Sequence, residues 1–207
     1  MLSEILRAVE TGVLPAADGG LTLVRQPGAR HAAVLGFTAH HVVAADVDPA
    51  WARAQLPDGD LSAPLNPPFL SALSAALDRH VNNIDLVTLA DPLAGPPPVD
   101  LVEIADRDHP RVRRALRYRD EVRVWRRPGG VVLIGRGLGG RWETAVEVDP
   151  GHRGNGLGRA LALSARHLAP EGRPIWAQIA PGNAASVRAF LAAGFAPLGA
   201  EALLVRD

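Results

Sequence analysis

The sequence predicts a mixed α/β fold (α+β), strands and helices interleaved along the chain. Three observations predict it. Alternating apolar runs interleave with helix-period stretches through residues 98–207. The stretch AVEVDPGHRGNGLGRALAL (145–163) leaves a strand at Asp149-Pro150, crosses three glycines in five residues, and enters an apolar helical pattern. Finally, ADPLAGPPPVD (90–100), with four prolines and a glycine, breaks all periodicity and marks a joint.

In the 98–207 half the elements follow in order. A short strand is expected at Val99–Ile104 and a helix from about His109 to Tyr118. A strand at Val122–Trp125 reaches the turn Arg127-Pro128-Gly129-Gly130, where Pro fixes φ and Gly tolerates φ > 0, the two central positions of a type II turn. Strands follow near Val131–Ile134 and Trp142–Val148, then the glycine segment and a helix to about Leu168. The remainder reads as a strand at Ile175–Ile179, a helix at Ala184–Ala193 and a closing hairpin over Phe195–Val205.

The 1–95 half carries an echo of this. Shifted by 101 positions without gaps, residues 25–56 match 126–157 at nine places, among them Pro27/Pro128, Gly28/Gly129, Val47/Val148, Asp48/Asp149 and Pro49/Pro150. About two or three matches would arise by chance from ordinary compositions. Opposite Arg153 to Gly156 stand Ala52, Arg53, Ala54 and Gln55, so a duplicated first half has lost the glycine loop.

Composition narrows the chemistry. At 207 residues the chain suits one large domain or two small ones. No apolar run approaches the ~20 residues of a membrane span, and Glu4 and Glu10 interrupt the N-terminus, so a soluble cytoplasmic protein is expected. Cysteine is absent, which removes disulfides and thiolate chemistry. Lysine is absent too: all 22 basic residues are arginine, which removes a Walker-type phosphate loop and Schiff-base chemistry. Residues 1–97 carry 5 Arg against 10 acids, and residues 98–207 carry 17 Arg against 12, so the second half is the better host for an anion.

Glycines at 154, 156 and 158 let the backbone turn tightly and approach a ligand without a Cβ between them. Consecutive N–H groups at a helix start, favoured by the dipole, make an anion site suited to phosphate or diphosphate. A G-x-G-x-x-G fingerprint fails at Arg159 and Leu161. The remaining pattern, Arg153-x-x-Gly156-x-Gly158 behind Val148-Asp149-Pro150, resembles the signature of the GNAT superfamily of acetyl-CoA-dependent N-acetyltransferases. A second segment, NAASVRAFLAAGF (183–195), resembles that family's N-x-x-A/S-x-x-x-Y-x-x-x-G-F. The resemblance covers 98–207 and implies the GNAT acyl-CoA N-acyltransferase fold, a three-layer α-β-α sandwich with a splayed mixed sheet. It casts 1–95 as a degenerate GNAT-like repeat.

Carried onto these positions, the resemblance implies that Val146 and Val148 bind the pantetheine arm through their backbone. Arg153, Gly154, Asn155, Gly156, Leu157, Gly158 and Arg159 would hold the diphosphate of acetyl-CoA. Asn183 would bond the pantetheine or thioester end, with Ser186 beside it, and Phe190 would line the channel. Phe190 stands where many members carry a tyrosine acid, and the one tyrosine, Tyr118, lies in another element. The resemblance implies a base of the kind members often use, a glutamate on the fourth strand, for which Glu143 and Glu147 share one face by period-2 alternation; Glu143, further from the diphosphate, is the expected catalytic base.

Eight arginines crowd residues 111–127, but without interleaved aromatics they read as a solvated helix and strand face, and no nucleic-acid partner is expected. His40 and His41 point to opposite faces of a strand and cannot share a metal; no metal site is expected. Trp125, Trp142 and Trp176 read as core. The expected activity is transfer of acetyl from acetyl-CoA to a primary amine, on a small molecule or a peptide. A non-catalytic acyl-CoA-binding sensor or scaffold is the alternative. No membrane partner is expected, and a homodimer is compatible with the sequence.

Overall fold

The computed structural model describes residues 1–105 and 108–206. The elements run α1 (Leu2–Glu10), β1 (Leu21–Val24), β2 (Ala32–Phe37), β3 (His40–Ala44), α2 (Pro49–Ala54), α3 (Pro67–Leu77), β4 (His80–Ala90) and β5 (Val102–Ile104). They continue α4 (Pro110–Tyr118), β6 (Asp120–Arg127), β7 (Gly130–Arg136), β8 (Trp142–Val148), α5 (Leu157–His167), β9 (Ile175–Ile179), α6 (Ala184–Ala192) and β10 (Ala196–Val205). They form two compact units, Met1–Val87 with Leu198–Asp207, and Thr88–Pro197. Among the described residues no helix is long and apolar enough to cross a membrane.

In the first unit the strand order is β1-β3-β2-β10-β4. Strands β2 and β3 are buried at every residue, and with β10 they pack Val34, Val43, Ala202 and Leu204 against Phe69, Leu70 and Leu73 of α3. Under the 101-residue offset the β2–β3 hairpin falls on β7–β8, and β1 falls on β6. The pairing differs, however: β6 runs antiparallel to β7, whereas β1 runs parallel to β3. Pro27-Gly28 is therefore no hairpin turn. Where the second unit has its glycine loop, the first has α2, capped by the Asp48 side chain accepting from Trp51 N at 2.8 Å.

The expected closing hairpin is not formed. Residues Ala196–Val205 are one strand, antiparallel to β2 from Ala200↔Gly36 to Leu204↔Ala32. Within this strand Gly199 serves a close approach: a Cβ there would fall on the carbonyl of Gly36.

The second unit is the three-layer arrangement. Its sheet runs β9-β8-β7-β6-β5, preceded by the end of β4, where Thr88 Oγ1 donates to Ala177 O at 3.1 Å. Odd and even residues of each strand serve different layers. Val132, Ile134, Trp142, Ile175, Ala177 and Ile179 bury against Leu161 and Ala165 of α5 and Phe190 of α6. Leu133, Ala145 and Val124 bury on the other face against Val112 and Ala115 of α4. The β6–β7 turn is as expected, with Gly129 at φ +87 and a Cβ there falling on the His152 ring. Strands β8 and β9 match their expected limits.

Candidate functional site

The site begins where β8 ends. A short 3-10 turn, Pro150–His152, leads into Gly154 (φ +82) and Gly156 (φ +79), conformations that a side-chain-bearing residue adopts only at a cost. Helix α5 opens on Gly156 with no side-chain cap, and the amide of Ala160 is the one that returns to Gly156 O, at 3.1 Å. The amides of Leu157, Gly158 and Arg159 precede it in the first turn, where a helix leaves its N–H groups without internal acceptors. No atom lies within 4 Å of where a Cβ on Gly154 or Gly156 would stand. Residues 151–156, including Asn155, are exposed, as is Arg159, while Leu157 turns into the core. The corner is open and rich in free donors. Arg153 folds back, its Nε donating to Val148 O at 3.1 Å.

Strand geometry supplies a second donor and acceptor row. Strand β8 pairs with β7 along its whole length, but with β9 only at Glu143↔Trp176. Beyond that point the two neighbours part. Asp149 N donates to Gly129 O on the β7 side at 2.9 Å, so by alternation the N–H and C=O of Val148 and Val146 face the β9 side, into the gap. Their side chains meanwhile rest on the α5 face of the core.

Helix α6 closes the other side of this gap. A Cβ on Gly158 would sit 3.7 Å from both Ala189 of α6 and Val148 of β8, so the glycine corner abuts α6. Asn183 caps that helix, its Oδ1 accepting from Ser186 N at 3.1 Å, six residues or about 9 Å of helix before Ala189. The cap engages only the oxygen. Asn183 is exposed and Ser186 half-buried. Phe190 is 4% exposed and meets Phe195 edge-on, ring centroids 4.9 Å apart.

Glu143 is placed differently from the corner. It is 5% exposed, with Arg119 Nε on Oε2 at 2.7 Å, and Arg141 Nε and Leu138 N on Oε1 at 2.8 and 3.3 Å. Burial pushes its pKa up, but the two guanidiniums outweigh burial and hold the carboxyl below its ordinary range. Gly137 makes room for it, since a Cβ there would fall on the carboxylate. Arg119 also reaches Gln178 on β9, Nη2 to Oε1 at 3.1 Å. The arginine run is thus not one solvated face: Arg119 turns inward to Glu143 and Arg111 is half-buried, while Arg113, Arg114, Arg117, Arg123 and Arg126 are exposed. Arg119, Arg141 and Gln178 were not singled out in the sequence. Only the helical spacing of Arg111, Ala115 and Arg119 around an apolar position hints at an inward stripe.

Residues 103–195 match the model of the acetyltransferase (GNAT) family. No curated protein matches the chain in sequence. Among solved structures, the chain is similar to a GCN5-related N-acetyltransferase from Kribbella flavida, with 17% identity and a TM-score of 0.43, over 68% of this chain and 64% of that one. It is also similar to a tandem GNAT protein from the clavulanic acid biosynthesis pathway, with 18% identity and a TM-score of 0.39, over 73% and 61%. The chain thus spans less than two thirds of the length of either.

Proposed function

We propose that this chain, whose residues 103–195 carry a GNAT acetyltransferase domain, transfers an acetyl group from acetyl-CoA to a primary amine by direct attack. The observation that carries the reading is the open, uncapped glycine corner beside the gap where β8 leaves β9. Amides from Arg153 to Arg159 hold the diphosphate, and the helix start favours its charge. Val146, and Val148 through its N–H since Arg153 Nε already occupies its carbonyl, offer backbone groups to the pantetheine arm, and Asn183 Nδ2 is left for the thioester end. Ser186 and Phe190 lie on the same helix.

The amine nitrogen attacks the thioester carbonyl, the oxyanion is held by a backbone N–H near Val148, and the C–S bond breaks as the amide forms. The ammonium proton goes to a base and the thiolate leaves as CoA. With a thiol pKa of about 8.5, release as thiolate at pH 7 costs roughly 2 kcal/mol, a handicap that water can relieve without a tyrosine at 190. A carboxylate paired with two arginines and held below its usual range accepts a proton poorly. Glu143 therefore acts as a positioning residue in this reading. Glu147, on the same face and with a carboxylate that makes no hydrogen bond or ion pair among the described residues, takes the proton through water.

The buried phenylalanine at 190 favours a second reading, an acyl-CoA sensor without turnover. One pair of measurements tests both. Calorimetry should detect CoA binding that Gly158→Val weakens at least tenfold, and thiol release should appear on adding amines. Absence of CoA heat ends both readings; CoA heat without thiol release across amine classes leaves the sensor.

A further inference from the structure

We propose that Arg111 and Glu147 form the acceptor subsite, and that the acceptor is an amine that also bears a carboxylate, of the amino-acid type. This rests on the acetyltransfer reading and names its substrate class.

Helix α4 packs on β6, and its end reaches β8 through Arg119, from which commensurate steps run back along the helix and on along the strand. Four helical residues rise about 6 Å, and two strand residues advance about 6.7 Å, so Arg119, Ala115 and Arg111 run alongside Glu143, Ala145 and Glu147. The first rung is closed by the 2.7 Å bond between Arg119 and Glu143. The second is apolar, with Ala115 and Ala145 in one buried cluster. The third stays open. Among the described residues neither the Arg111 guanidinium nor the Glu147 carboxylate has a hydrogen bond or an ion pair, although the two lie near enough to interact electrostatically. Burial and the neighbouring Arg119 depress the Arg111 pKa, and Glu147 opposes them only in part. This half-buried guanidinium has a carboxylate nearby but no ion-paired or hydrogen-bonded partner among the described residues.

Gln178 adds a second donor to the same face. It lies two residues beyond Trp176, where β9 has left β8. Its Oε1 is committed to Arg119, which can only donate, so Nε2 points away, buried and without a partner.

The ligand that fits is a zwitterion. The planar fork of Arg111 matches a carboxylate with two parallel bonds, and Glu147 receives the amine. A diamine or polyamine would set a cation beside Arg111 and Arg119 and is disfavoured. Glu147 then holds the ammonium whose proton must leave before attack.

The test uses matched pairs, phenylalanine with phenethylamine and arginine with agmatine, titrated calorimetrically into the protein with and without saturating CoA. The carboxylated member of at least one pair should bind tenfold or more tightly than its decarboxylated partner. Arg111→Gln should erase that preference, Arg111→Lys should keep part of it, and neither should alter CoA affinity. N-acetylphenylalanine should depend on Arg111 but not on Glu147, which Glu147→Gln checks. Equal binding within both pairs, no binding by any amino acid, or a preference that survives Arg111→Gln overturns the subsite. Missing CoA heat overturns the acetyltransfer reading instead, and the titrations without CoA still decide the subsite.

Discussion

Arg119 Nε lies 2.7 Å from Oε2 of Glu143, joining the residue that ends helix α4 to the strand that borders the candidate site. Arg141 holds the other oxygen at 2.8 Å. One carboxylate thereby locks a helix end, a loop and a strand together, at the point where β8 and β9 last touch.

Removing that charge strands two guanidiniums. Glu143→Gln is expected to cost about 3–5 kcal/mol of stability, the usual penalty for leaving a buried ion unpaired. Denaturant unfolding measures it. A drop below 1 kcal/mol would show that water already screens the cluster.

The same carboxylate predicts an acid limit. Its folded pKa lies below the ordinary value of 4.5, so its contribution is complete above that value. It is lost as pH falls from there through the depressed folded value, because the unfolded chain then binds the proton first. Unfolding midpoints measured from pH 7 down to pH 3 should fall more steeply for the native sequence than for Glu143→Gln. Parallel curves would contradict the assignment.

Gly137 is needed for space rather than for its backbone freedom. Gly137→Ala drives a methyl group into the Glu143 carboxylate and should destabilise the fold by about 1–3 kcal/mol. Gly151→Ala, with nothing within 4 Å, should be neutral or stabilise by up to about 1 kcal/mol. Thermal melts of the two variants compare them directly.

Asn183 separates folding from binding. Asn183→Ala loses the α6 cap and should cost about 1 kcal/mol. Asn183→Asp keeps the capping oxygen, so stability should hold while CoA affinity falls with the lost Nδ2 donor. Equal CoA affinity in Asn183→Asp and the native sequence would remove Asn183 from the thioester end.

Much of the second unit was legible in the chain because its signals are local. Alternation set β8 and β9 to their observed limits, and Pro128-Gly129 made the turn that their dihedral preferences require. Glycines at 154 and 156 took positive φ and left the corner open, and Asn183 capped α6. Each depends on a few consecutive residues.

What local signals could not carry, the tertiary structure decided. Glu143 and Glu147 share a strand face in sequence terms, yet only Glu143 is bonded by arginines, because the end of α4 and the loop before β8 bring Arg119 and Arg141 onto it. Pro27-Gly28 repeats the letters of a hairpin turn without making one, and the expected closing hairpin is a single strand whose Gly199 admits the carbonyl of Gly36. Period and turn chemistry determine which segments become strands and helices. Which charge meets which, and which strand lies next to which, is set by packing between residues far apart in the chain.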